Sequence, residues 1–178
     1  MNDGIAKKIS YTALFCALIV ICSWISVPVS SGIAFTLQTF AVLLAAQLLG
    51  WKYGTAAVAA YIALGAAGLP VFSGFRGGVG VIAGVTGGYI VGFIFVALIV
   101  GISKKLFGSK TLPSIISMTL GVVVCYAFGT AWFCVVYSGE TTFLSALTSC
   151  VLPYLPFDAL KIAAAVLLTR RLEKYVKI

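Results

Sequence analysis

The stretch Gly84-Val-Thr-Gly-Gly-Tyr-Ile-Val-Gly-Phe-Ile-Phe-Val-Ala-Leu-Ile-Val-Gly-Ile-Ser103 runs without a charged residue and stops at Lys104-Lys105. Its length matches the roughly 20 apolar residues a helix needs to cross the hydrocarbon of a bilayer. Reading outward in both directions, comparable runs fall at about 9–28, 33–50, 54–70, 112–137 and 148–169. The composition agrees: of 178 residues, 62% are hydrophobic and only 9% charged, with a mean hydropathy of +1.16. A soluble domain is near half apolar and a quarter charged. Disordered chains, coiled coils and small disulfide scaffolds are excluded by the same numbers. Six crossings consume about 120 positions, which leaves short loops. The expectation is an all-α polytopic membrane protein, residues 1–178 forming a single domain of six transmembrane helices.

The formal net charge of +8 would suggest nucleic acid in a soluble protein, but here the charges lie between apolar runs. With six spans both ends of the chain share a side. That side collects Lys7, Lys8, Lys52, Lys104, Lys105, Lys110, Arg170, Arg171, Lys174 and Lys177, ten of the twelve basic residues. Lys and Arg accumulate in cytoplasmic loops, so both termini are expected in the cytoplasm and no nucleic-acid partner is implied. The first run is too long for a cleaved secretory signal and is followed by five more. It reads as a retained helix.

Cys16, Cys22, Cys125, Cys134 and Cys150 lie inside apolar runs without CxxC spacing, and the chain has no His. Cysteines so placed behave as small hydrophobes. A zinc site, a His-activated nucleophile and a His proton relay are unavailable, so no metal, no cofactor and no enzymatic activity is expected. Gly108-Ser109-Lys110-Thr111 glances at a phosphate loop but lacks both of its glycines; any ATP hydrolysis falls to another chain. Gly78-Val79-Gly80 with Gly84 misses the dinucleotide spacing. Gly80, Gly84, Gly88 and Gly92 recur every four residues, which predicts a stripe on one helix face. Such a stripe admits a neighbouring helix or, at Gly87 and Gly88, a flat ligand. Ala13 and Ala17 form a smaller version on the first helix, for internal packing or for another membrane subunit.

The unusual residues concentrate at the ends of the spans away from the basic side. Thr36, Gln38 and Thr39 open the second span, Thr86, Gly87, Gly88 and Tyr89 the fourth. Tyr126, Gly129 and Trp132 lie in the outer half of the fifth. Asp158 and Lys161 follow Pro153 and Pro156 at the start of the sixth. An ionisable residue inside a span costs about 2.5–3.5 kcal/mol on insertion scales, and a spacing of three brings both side chains to one helix face. A neutral structural pair with Lys161 snorkelling is the alternative; the cost favours a functional site. The loop from Val71 to Ala83 is outside yet apolar, with Val71, Phe72 and Phe75, and reads as a lid over a cavity. Arg76 is its cation, facing an anionic ligand group or solvent. The residues together describe a pocket for a small, partly apolar molecule with both donors and acceptors.

These segments resemble a known family. Thr36-Leu-Gln-Thr39, the Gly50-to-Gly54 turn, Tyr61 with Gly65, Gly68 and Pro70-Val-Phe72, Gly77-Gly78, Thr86-Gly-Gly-Tyr89 with Gly92-Phe93, and Asp158-Ala-Leu-Lys161 match its pattern in order over nearly the whole chain. The sequence resembles the biotin-specific substrate-binding subunits, the BioY type, of energy-coupling-factor vitamin transporters. Val85 and Phe157 depart from it, standing where Pro and Gly are common. The resemblance implies a six-helix subunit in the plasma membrane of a prokaryote that captures biotin at the outer face. A transmembrane coupling subunit and two ATPases would supply the energy, and Ala13 and Ala17 match the small-residue motif for docking that coupling subunit.

On this reading Asp158 accepts from a ureido N–H and Lys161 donates to the ureido carbonyl. Val71, Phe72, Tyr89 and Trp132 form apolar walls. The tail carboxylate is left to Arg76, Gln38, a hydroxyl, the backbone at 86–88, or water. Another vitamin as ligand, a stand-alone proton-coupled carrier and a ligand-free structural subunit are the competing readings.

Overall fold

A computed structural model describes residues 3–27, 34–137, 145, 147–148 and 151–176. The ends of the first two expected spans at 28 and 33, together with Cys150 and Lys177, lie outside the described residues. Helix α1 spans Asp3–Trp24. It buries Phe15, Cys16, Ile19 and Cys22 while leaving Ile9, Leu14 and Ile21 exposed, the one-sided stripe that a 3.6-residue period produces. A two-residue ribbon follows, β1 (Ser26–Val27) antiparallel to β2 (Phe35–Thr36), with Ser26 opposite Thr36.

Helix α2 (Gln38–Ala66) breaks at Gly50, where φ is 74° and ψ −178°. A β-carbon on Gly54 would stand 2.8 Å from Ala46 Cα. On a continuous helix residues eight apart are separated by about 12 Å, so the chain doubles back here. α2 therefore supplies the second and third expected spans. Its first half is the centre of the molecule: residues 41–49 are buried on every side, as expected of a helix that is apolar all round. Ala41, Ala45 and Ala46 keep it slim enough for neighbours to approach. Two contacts hold its blunt end. Lys104 Nζ donates to the Leu48 carbonyl at 2.7 Å, supplying a partner to one of the helix's terminal carbonyls. Gln47 Nε2 donates to Ser114 Oγ at 2.9 Å.

A loop leads to the short helix α3 (Val79–Ala83) and then to α4 (Gly87–Phe107). Gly108, at φ 68°, closes α4 with its N–H on the Lys104 carbonyl, a conformation for which glycine has no steric cost. α5 covers Thr111–Val136. A 3₁₀ turn, Leu152–Tyr154, precedes α6 (Leu155–Leu172), with Pro156 in a first turn that needs no donor from it. α2 packs on α1, α4 and α6, and α4 on α5. Among the described residues, four segments are long and apolar enough to cross a membrane: Gly4–Trp24, Gly87–Phe107, Thr111–Val136 and Leu152–Leu172. With the two halves of α2, shortened by their reversal, they make the six-span membrane bundle.

The expected four-glycine stripe is not formed. Gly84 is extended, with ψ −175°, so Gly80 and Gly84 precede α4, and only Gly88 and Gly92 share one of its faces. Nothing lies within 4 Å of a β-carbon at Gly80. Gly92 faces Cys125, whose Sγ would be 2.8 Å from such a carbon, and Gly121 on α5 meets Val96 of α4. The basic residues gather at one end of the bundle. Lys8 lies over the Tyr53 ring, Lys105 over Trp51, and Arg170 reaches Thr111.

Gly54→Ala is expected to lower the stability of the detergent-solubilised protein by about 1–3 kcal/mol, because the added methyl meets backbone that cannot yield. Gly80→Ala, facing open space, is expected to stay within about 0.5 kcal/mol. Thermal unfolding of the two variants side by side checks the contrast.

Candidate functional site

At the end of the bundle away from Lys8, Lys104, Lys105 and Arg170, a cavity of about 90 Å³ opens between β2, the starts of α2 and α4, the loop before α3, and the middle of α5. It has room for several waters or for part of a small ligand. Eight of the residues singled out in the sequence line it: Thr36, Gln38, Thr39, Phe72, Arg76, Thr86, Tyr89 and Lys161. The ribbon carries Thr36 to the rim, where its Oγ1 accepts the Gln38 N–H at 3.3 Å. Gln38 is buried and its Nε2 has no hydrogen-bond partner among the described residues, leaving a donor for whatever enters.

The roof is the loop after α2. Phe72 is 1% exposed, seated over Gly65 with its ring edge-on to Tyr61 at 5.4 Å. It is joined to Arg76 by a backbone bridge, and the Arg76 Nε donates to the Ser73 carbonyl at 3.1 Å. Helix α1 ties this loop down. Ser23 Oγ donates to the Val71 carbonyl, Trp24 Nε1 to the Pro70 carbonyl at 2.9 Å, and Trp24 stacks on Phe75 at 5.0 Å. Val71 and Phe72 are thus committed to packing, Phe75 keeps one face exposed beside Trp24, and Val79 is exposed.

The remaining five residues stand outside the cavity lining. Val71 is buried beneath the loop. Gly87 abuts the Ile82 backbone, and Gly88 lies against Trp132 and Gly129 of α5. Both glycines are closely packed against their neighbours. Trp132 donates from Nε1 to the Gly84 carbonyl at 3.0 Å, satisfying backbone at the break between α3 and α4. Asp158 sits one layer behind the wall. It is 3% exposed, and its Oδ1 accepts from Lys161 Nζ at 2.9 Å, the single ion pair among the described residues. Its Oδ2 accepts from the Tyr126 hydroxyl.

Lys161 also lies 4.4 Å from the Phe35 ring centroid, and Phe35 in turn packs against Tyr154 and Phe157. The ammonium is therefore held between a carboxylate and an aromatic face. Tyr89 shares a hydrogen bond with Thr130 at 3.1 Å and turns its ring toward Tyr126.

Sequence reasoning named Tyr126 and Tyr61 without placing them at the site, and passed over Phe35 and Tyr154. Three of them line the cavity, and Phe35 covers the lysine. The only signal for Tyr126 was the cost of Asp158, which demands a donor from a neighbouring helix. Among the described residues no three metal-ligating side chains converge. The site offers donors and acceptors between aromatic walls, fitted to hold a small molecule.

The BioY family model matches residues 1–178, the full length of the sequence. The chain belongs to the BioY family. A biotin transporter BioY of Thermotoga maritima is 40% identical over 170 residues, covering 94% of this chain and 96% of that protein. One from Rhodobacter capsulatus is 32% identical over 179 residues, covering 95% and 94%. Among solved structures, the S-component for biotin from an ECF-type ABC transporter superposes with a TM-score of 0.89. It is 31% identical to this chain, covering 98% of it and 94% of the other.

Removing one partner of a buried ion pair strands the other. Lys161→Met is expected to destabilise the ligand-free protein by about 3 kcal/mol, while adding Asp158→Asn to it recovers most of that loss. A double-mutant cycle of thermal unfolding in detergent checks both values.

Proposed function

We propose that this chain captures biotin and takes part in its uptake as the substrate-binding subunit of an energy-coupling-factor transporter. The observation that carries the reading is the buried Asp158–Lys161 pair at the wall of a cavity in a BioY-family chain. A ureido group presents N–H donors and a carbonyl acceptor side by side, which complements a carboxylate and an ammonium side by side. A ligand that meets both groups can replace the contacts they make in the empty site, and a ligand lacking either group leaves one side of that exchange unmet. Phe72, Tyr89 and Phe93 supply apolar wall for the ring system. Gln38 Nε2 and Arg76 are the donors placed for the tail carboxylate.

The orientation follows from the charge: basic residues gather at one end and both termini belong in the cytoplasm, so the cavity faces outward. As in an ECF-type transporter, the energy for uptake comes from a coupling subunit and two ATPases. Ala13 and Ala17 are both exposed, four residues apart on α1, and small side chains there permit close approach of a partner helix.

Titration of biotin into the detergent-solubilised protein tests the reading. Stoichiometric binding is expected, weakened at least about thirtyfold by Asp158→Asn or by Lys161→Met, the loss typical of truncating a buried charge pair. No binding to the unsubstituted chain, with other vitamins bound instead, overturns it. In vesicles carrying the coupling and ATPase subunits, Ala13→Leu with Ala17→Leu is expected to abolish uptake and leave biotin binding intact.

A further inference from the structure

The carboxylate that the ligand is meant to reach is covered. Asp158 is buried and absent from the cavity lining, whereas Tyr126 and Lys161 both line it. Each of these two puts its polar atom on one oxygen of Asp158, Lys161 on Oδ1 and Tyr126 on Oδ2. Tyr126 comes from the middle of α5, is half-buried, and makes no other hydrogen bond among the described residues, its ring resting edge-on to Tyr89 at 6.3 Å. Its phenol therefore links the cavity lining to Oδ2.

We propose that Tyr126 is a placeholder for the ligand: in the empty protein its hydroxyl fills the acceptor position on Asp158 that a ligand N–H takes on binding. The inference rests on biotin as the occupant, as proposed above. An uncovered carboxylate in hydrocarbon is costly, and Tyr126 offsets that cost until a donor arrives. Binding then exchanges one hydrogen bond for another, and the phenol swings toward the cavity, where its apolar ring adds to the ligand's wall. A ligand without an N–H has nothing to offer in the exchange. Tyr126 thus sets specificity through Asp158, as a positioning residue that raises the threshold for entry.

Tyr126→Phe keeps the ring and removes the competitor. Biotin binding to this variant is expected to tighten about fivefold, the value of one net hydrogen bond, with the gain in a faster association rate. A residue that merely packed the site would instead speed dissociation when cut back. In the unsubstituted protein, saturating biotin is expected to shift tyrosine ultraviolet absorption to shorter wavelength, as a phenol leaves a carboxylate, and Tyr126→Phe should lose that shift. Weaker or unchanged binding in the variant, or an unshifted tyrosine spectrum in a wild-type chain that binds biotin, overturns the placeholder alone. Absence of biotin binding to the wild-type chain overturns it together with the functional reading.

Discussion

A carboxylate and an ammonium three residues apart on one helix can remain charged inside a membrane bundle only if the rest of the bundle completes their shells. Much of this structure is arranged to do that. α6 enters through Pro153 and Pro156, which places Asp158 in its first turn. α5 contributes the Tyr126 hydroxyl, and β2 lays the Phe35 ring over Lys161. Each contribution comes from a different element, and the pair is as much a crossing point for the fold as a site for a ligand.

Hydrophobicity cannot hold these helices together, because lipid tails are as apolar as leucine. Close approach replaces it. α4 and α5 meet through Gly88, Gly92, Gly121 and Gly129, each placed against a larger side chain on the facing helix. Gly65 gives its space to the Phe72 ring, and Gly101 accepts the backbone at Trp51. Small residues are spent on packing in the interior and left bare at Ala13 and Ala17, a contrast in use that the sequence alone does not display.

The crossings and their charge sidedness were legible because both follow from transfer free energies summed over long stretches. The polar wall was legible residue by residue, since Gln38, Thr86 and Lys161 are expensive where they stand. The division of labour within it was not. Asp158 and Lys161 share a helix face by spacing, yet only the lysine borders the cavity, because Tyr126 arrives from a helix more than thirty residues away. Local period carries no information about such a partner. The glycines at 80, 84, 88 and 92 misled for a related reason. Their spacing fits one helix, but an extended Gly84 ends α3 and lets Ile82 pack against Gly87. The reversal at Gly50 was visible as a turn between two apolar runs, though the intimacy of Gly54 with Ala46 was not.

The roof of the cavity has no slack of its own. Pro70, Val71 and Phe75 are each fastened to the last residues of α1, the same helix that leaves Ala13 and Ala17 bare. Opening the loop as a free flap would require three separate attachments to fail at once. The lower-cost motion carries loop and helix together, so that the helix acts as a handle: a body that grips α1 from its exposed side holds the roof as well.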